Sequence, residues 1–537
     1  MSALVEAPLS RGKKSSSALA AAVLGELGGV EEEEERAVYL DDRISDAIKH
    51  LDNCSEFLEW LAHFGFEGTA QRHYREVLSK LLQWIENPVP PSSHKSVIEH
   101  LGGVGDAQLG LLGHIFWTPF LECFFLEVFH QQFFRKRSRD LEAEEEELIE
   151  MTCRLIKYLC RYGRHGEVYH NVVQAGAFGA CQFLARVLRF YRDREGIVTE
   201  ALKAVLNLTM SKSNPADKED KNLNAVILDQ VSDASICEVL FKVMAHWRSA
   251  SPAIVELTCR AVQSVAQCSL TVRKNFGRAV GGDACGELFR TLRLYRCQQP
   301  AKTTDATTSS HQQAYASVCA QTLRAMSTLC DTDQPAGSSS DSRSSSSSTS
   351  RRDAARDALW RFETDKDKHR GELCSTVLEA MWNWGIVDAQ VVEFGFRAIT
   401  MLVHRDDDSG PRRHAFGHSS FTSRSGPFEQ EIGICDVFLR AVSRWLEHTG
   451  PTHCVEEGVK CLTHLTYKGH PANTAAFEGF FKDSELDLTE VRLEKKRALH
   501  ALEHKLRADV EHYEAKGKKT KAKFARDNFP QFLLPKA

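Results

Sequence analysis

Six basic residues recur in one frame along the chain: Arg154, Lys203, Arg260, Arg324, Arg397 and Lys460. Each follows an apolar residue by five positions, with further apolar residues at offsets 4, 7 and 10 and a small residue or Leu at offset 6. The frame opens at Ile149, Val198, Val255, Cys319, Val392 and Val455, so the copies start 49, 57, 64, 73 and 63 residues apart. A regularly placed guanidinium or ammonium column can receive carboxylates or phosphates, and the planar fork of Arg suits bidentate contact with either. Four positions before the base stand Glu150, Glu256, Glu393 and Glu456. At that helical spacing an acid and a base pair for about 0.2–0.5 kcal/mol. Two readings of the column therefore stand side by side: solvated intrahelical pairs, and a groove for an acidic ligand.

Other residues that could do chemistry are less organised. Sixteen cysteines raise the question of zinc or disulfides. No CxxC pair occurs, and seven of them (Cys54, Cys123, Cys181, Cys237, Cys285, Cys374 and Cys435) are followed ten residues later by an aromatic residue. A free Cys at a repeated apolar position behaves as a small core residue. His404, His414 and His418 flank Asp406, Asp407 and Asp408, but Gly410 and Pro411 intervene. Without a helix to hold them, these residues lack a ligating spacing, and no metal site is expected. No Walker, HExxH, GxSxG or dinucleotide fingerprint is present. Neither catalytic residues nor a cofactor are expected, and the chain reads as a non-enzyme.

The offsets 0, 4, 7 and 10 place the apolar residues on one helical face. The Cys-to-aromatic step has the same periodicity, as in Cys285 to Tyr295 and Cys374 to Trp384. The two patterns alternate, which is the signature of stacked helical repeats.

The segment AlaLeuLysAlaValLeuAsnLeuThr at 201–209 resembles the third helix of an armadillo repeat. The Cys-led helix resembles the second helix, with Gly179-Ala180-Cys181 in place of the preceding turn. The resemblance covers about residues 45–505 and implies an all-α, right-handed superhelical armadillo-like solenoid with degenerate repeats and long inter-helix insertions. It further implies that the basic column lines a concave protein-binding groove. Four residues beyond each basic position the family often carries Asn; here the position holds Tyr158, Asn207, Ser264, Thr328, Met401 and His464. Only Asn207 matches, so the Trp and Asn ladders with which importin-α grips basic peptides are missing. The expected partner-binding residues are Arg154, Lys203, Asn207, Arg260, Arg324, Arg397, Lys460 and His464.

The expected layout is a disordered leader at 1–36, degenerate helical repeats at 37–140 and armadillo-like repeats at 141–482. Disordered insertions are expected near 298–310, 331–352 and 405–430, followed by a capping helix at 483–515 and a basic tail at 516–537. The Ser-rich tract at 338–352 cannot build a core. A net charge of −5 argues against a general nucleic-acid binder. No run of apolar residues is long enough for a membrane span. The expected function is a protein-interaction scaffold for an extended, acidic or phosphorylated segment, with no small-molecule substrate. A transport or targeting adaptor and a regulatory subunit of an enzyme complex are the alternatives. Cysteine usage suggests a reducing, cytoplasmic setting, with the basic tail as a candidate nuclear address.

Overall fold

A computed structural model describes residues 143–160, 179–209, 236–268, 283–297, 306–331, 354–364, 372–404, 410–423, 430–445, 453–466 and 470–482, together with scattered residues between them, at 79 and 82, and between 507 and 517. The expected leader, the 331–352 insertion and the basic tail fall essentially outside the described residues, as do nearly all of the 37–140 repeats and most of the cap. The chain divides into two compact units, 1–234 and 235–537.

In the first unit, α1 (Ala143–Leu159) packs along α3 (Glu195–Thr209), and both touch α2 (Ala180–Phe190). α2 begins after Gly179, whose φ of 82° is the left-handed conformation that glycine adopts without a Cβ penalty. Its inner face is Cys181, Phe183, Leu184, Val187 and Leu188. Helical spacing turns the polar residues of the same segment outward.

The second unit repeats this plan more fully. Cys-led helices α4 (Ile236–Trp247), α6 (Asp283–Tyr295), α9 (Glu372–Trp384) and α12 (Ile434–Trp445) form one layer. Basic-frame helices α5 (Pro252–Cys268), α7 (Ala306–Cys330), α10 (Ala389–Val403) and α13 (Cys454–Leu465) form the other. Along the second layer α5 packs on α7, α7 on α10 and α10 on α13; across the layers each Cys-led helix packs on the frame helix that follows it. α8 (Ala354–Thr364) lies against α6 and α9, and α14 (Pro471–Lys482) follows α13.

Between α10 and α12 the structure departs from the expected disordered insertion at 405–430. It forms α11 (Gly410–His418) and an antiparallel hairpin, β1 (Ser420–Ser423) with β2 (Gln430–Gly433), in which Phe421 pairs with Ile432. Phe416 and Ile432 are fully buried, and that apolar anchorage holds a segment whose polar composition suggested a loop. Near 298–310, α7 already begins at Ala306.

Both repeated patterns serve the core. Cys181, Cys237, Cys285, Cys374 and Cys435 are buried, as are Cys153, Cys259 and Cys319. Burial raises the thiol pKa values of Cys153, Cys285, Cys319 and Cys374, and raises those of Cys237 and Cys259 to about 12. The aromatic residue ten positions on has a second task. Tyr295 Oη donates to the Arg248 carbonyl at 2.8 Å, Trp384 Nε1 to the Tyr295 carbonyl at 2.9 Å and Trp445 Nε1 to the Gly385 carbonyl at 2.7 Å. The last carbonyls of a helix have no partner within it. Each aromatic residue supplies a donor to the end of the preceding Cys-led helix.

A third column carries small residues. At offset 3 of the frame stand Thr152, Ala201, Thr258, Thr322, Gly395 and Gly458. Thr152, Thr258 and Thr322 return their hydroxyls to the carbonyl four residues back, at 2.7–2.8 Å. A Cβ on Gly458 would lie 2.8 Å from Phe438 Cδ2 and 3.0 Å from Phe396 Cε2. Replacing Gly by Ala in an open helix stabilises by about 1 kcal/mol. Here Gly458→Ala is expected to destabilise by about 1–3 kcal/mol through overpacking, read as a lower urea midpoint. Trp384→Phe, which leaves the Tyr295 carbonyl without its donor, is expected to cost about 1–3 kcal/mol in the same measurement.

Candidate functional site

The basic column faces different electrostatic surroundings in the two units. In the first, both members of the column are ion-paired. Arg154 pairs with Glu150 at 2.5 Å. Lys203 reaches Glu200 at 2.8 Å, and Lys157 binds the other oxygen of the same carboxylate at 2.6 Å. Glu200 is almost fully buried. Burial opposes its charge, but the two ammonium groups prevail and hold its carboxyl below the usual range. Glu200 stands three positions before Lys203, a spacing the four-residue acid rule overlooks. Asn207, the one match to the family's Asn, donates Nδ2 to the Lys157 carbonyl at 2.7 Å. It ties α3 to the end of α1 and so has a structural use.

In the second unit, α5, α7 and α10 present Arg260, Arg324 and Arg397 from successive packed helices. Arg260 and Glu256 are 3.8 Å apart, a loose contact. Arg324 has Ala320 four residues before it and therefore no intrahelical acid. Its guanidinium instead sits over the Phe394 ring, 5.0 Å from the centroid. Arg397 is exposed, and the expected partner Glu393 turns away to accept from the His453 backbone N–H at 3.3 Å. Among the described residues neither Arg324 nor Arg397 is ion-paired. Partial burial lowers the Arg324 pKa, and the neighbouring charges of Arg397 and Arg260 lower it further, with Glu393 offsetting part of this. The three cations thus sense one another.

At the far end of the column the expected pairing is also changed. Lys460 pairs with Glu457 at 2.7 Å, while Glu456 lies 3.3 Å from His453 Nδ1. His464 is half-buried against His404, with ring centroids 4.9 Å apart. Burial, then His404, Arg413 and Lys460, lower its pKa to about 4. The imidazole is therefore neutral near pH 7 and adds no charge to the column.

The other layer shows where the acids went. Arg248 pairs with Glu287 at 2.7 Å, and Arg290 meets the same carboxylate. Arg293 pairs with Glu372 at 3.3 Å and Arg296 with Glu379 at 2.6 Å. Exposed pairs contribute only about 0–1 kcal/mol each to stability. These pairs answer the arginines of the Cys-led layer, whereas α5, α7 and α10 carry Arg260, Arg324 and Arg397 against Glu256 and Glu393. Like charges held together without counterions favour an anionic ligand. The ring beneath Arg324 limits the motion of its fork while leaving its N–H groups available.

A cleft of about 230 Å³ opens among Arg296, Cys297, Asn383, Trp384 and Ile386. Its thiol is a poor nucleophile, because partial burial and the bonded Glu379 carboxylate raise the Cys297 pKa to about 12. Among the described residues no helix is long and apolar enough to cross a membrane.

No family model and no curated protein matches the chain. Among solved structures, an engineered protein is 14% identical, with 85% of this chain and 98% of that chain covered, at a TM-score of 0.29. A structure concerned with a phosphorylation switch in the interaction between cadherin and β-catenin is 13% identical, with 90% and 99% covered, at a TM-score of 0.22. These scores are too low to carry an argument about fold or function.

The neutral His464 has a consequence for stability. Its folded pKa of about 4 lies below the ordinary value of 6.5, so the unfolded chain takes up the proton first as pH falls. The stabilisation is complete above about pH 6.5 and is lost as pH drops toward 4. A urea midpoint that falls over this window, with a shallower fall in His464→Gln, is the expected result.

Proposed function

We propose that this protein is a non-catalytic, armadillo-like scaffold whose α5–α7–α10 face binds an extended acidic or phosphorylated segment of a protein partner. The observation that carries the reading is the pair of guanidiniums, Arg324 and Arg397, left without carboxylates while neighbouring acids neutralise the opposite layer. A right-handed superhelix would turn these helices into a continuous concave surface, with Arg260 and Lys460 flanking the central pair. Arg154 and Lys203, already bound to carboxylates, would contribute less. The all-helical repeat plan supports a scaffold because its repeated side chains are committed to packing. A cytoplasmic setting belongs to the same proposal.

The test is fluorescence anisotropy with a labelled Glu-rich peptide and its phosphoserine counterpart, on the full chain. Combined Arg260→Glu, Arg324→Glu and Arg397→Glu changes are expected to weaken binding at least about tenfold, equivalent to about 1.4 kcal/mol. Far-UV circular dichroism should be retained, and Arg154→Glu with Lys203→Glu should have a smaller effect. Equal binding by the triple variant and the unaltered chain would overturn the groove.

A further inference from the structure

Resting on the reading of the α5–α7–α10 face as a receptor for an acidic segment, we propose that one such segment belongs to this chain. The Ser-rich tract Ser338–Ser350, once phosphorylated, occupies Arg324 and Arg397 and competes with the external partner. The tract stands in the sequence between α7 and α8. Arg356, buried near the start of α8, donates Nη2 to the Cys330 carbonyl at 3.1 Å and Nη1 to the His404 carbonyl at 2.9 Å. Cys330 is the last residue of α7, and His404 caps the end of α10. One side chain therefore gathers the point where the tract departs, the point where it returns and the end of α10. Arg324 precedes Cys330 by six residues, and Arg397 precedes His404 by seven. At the helical rise, each cation is carried about 10 Å along its helix from those ends. The two arginines are near enough for the charge of one to lower the pKa of the other.

Chain length is sufficient for the contact. Ser338 follows Asp331 by seven residues, and Ser347 precedes Ala354 by seven. Seven extended residues span up to about 23 Å, more than the distance to be covered from either end. Charge then selects the phosphorylated form. Residues 338–350 hold ten Ser and one Thr, with one Asp and one Arg, so they carry no net charge when unmodified. Each phosphoserine adds about −1.5 to −2 and three acceptor oxygens. An ATP-dependent protein kinase forms the bond from serine Oγ to the γ-phosphorus while the bond from that phosphorus to the bridging oxygen breaks. ADP leaves, and the hydroxyl proton passes to solvent. Arg324, over the Phe394 ring, and Arg397 are not ion-paired among the described residues, so a phosphate displaces no carboxylate there. At Arg154 and Lys203 it would have to displace Glu150 and Glu200. A ligand joined to its receptor by a short connector meets it at an effective concentration on the order of 1 mM. Even a weak contact then holds the face against a dilute external segment.

The test compares two full-length chains, one with Ser344→Glu, Ser345→Glu, Ser346→Glu and Ser347→Glu together, the other with Ala at the same four positions. Fluorescence anisotropy follows two labelled probes: the Glu-rich peptide, and a synthetic peptide of residues 338–350 phosphorylated at those four serines. Salt is kept near 0.15 M, where repulsion between exposed charges is screened beyond about 8 Å. The Ala chain is expected to bind both probes, and the Glu chain to bind each at least about tenfold more weakly. Adding Arg324→Glu and Arg397→Glu to the Ala chain should cost at least about tenfold in affinity for the phosphorylated 338–350 peptide. Equal affinity of the Ala and Glu chains for the Glu-rich probe would overturn occupancy by the tract and leave the arginine face standing. So would an Ala chain that binds the Glu-rich probe but not the phosphorylated 338–350 peptide, or binds the latter equally without the two arginines. Binding of neither probe by the Ala chain would remove the arginine face and its occupancy together.

Discussion

The second unit depends on a hydrogen bond repeated from one Cys-led helix to the next. A helix ends with carbonyls that its own backbone cannot satisfy. In this chain the closing aromatic of the following Cys-led helix provides a donor, first from Tyr295 and then from Trp384 and Trp445. The large ring also fills space between layers, so one residue sets both separation and register. Asn383 adds a parallel tie to the Arg296 carbonyl at 2.9 Å. In the first unit Asn207 makes an analogous contact to the end of α1. Small residues at offset 3 complement these ties. They allow close approach where a larger side chain would meet Met381 or Phe438.

This packing constrains the charges. Once apolar residues occupy the inner faces, most charged side chains of the described residues lie on the outer surfaces of the layers. There they divide unequally. Glu287, Glu372 and Glu379 meet the arginines of the Cys-led layer. The stacked frame helices keep Arg324 over an aromatic ring and Arg397 exposed. This asymmetry, more than the number of basic residues, underlies the proposal that one face receives an acidic segment. It also explains why a chain with net charge −5 can display a local cationic surface.

Several features escaped the sequence for identifiable reasons. The segment around 405–430 is polar and rich in turn residues, yet Phe416 and Ile432 anchor it to distant elements. Local composition carries no record of that anchorage. Glu393 and Glu456 occupy the spacing for intrahelical pairs, but Glu393 accepts from the His453 N–H at the start of α13, and Glu456 lies beside His453 at the N-terminus of its own helix. His464 stands four residues beyond the basic column and is neutral because burial and adjacent imidazole and cationic groups oppose its charge. The cysteines were more legible, since their repetition at apolar positions already distinguished core residues from metal ligands.

From sequence alone came the helical class, the two alternating patterns and the residues of the inner faces. These are periodic, short-range properties, and an apolar stripe at helical spacing has few other uses. The partners of the charges were decided only by the tertiary structure. Whether Arg397 meets Glu393, or Trp384 meets the Tyr295 carbonyl, depends on groups many residues apart in the chain. Folding brings these together, and the competition among them assigns each carboxylate. The sequence therefore identified the basic column, and the structure shows which of its members, Arg324 and Arg397, meet no carboxylate as an ion pair among the described residues.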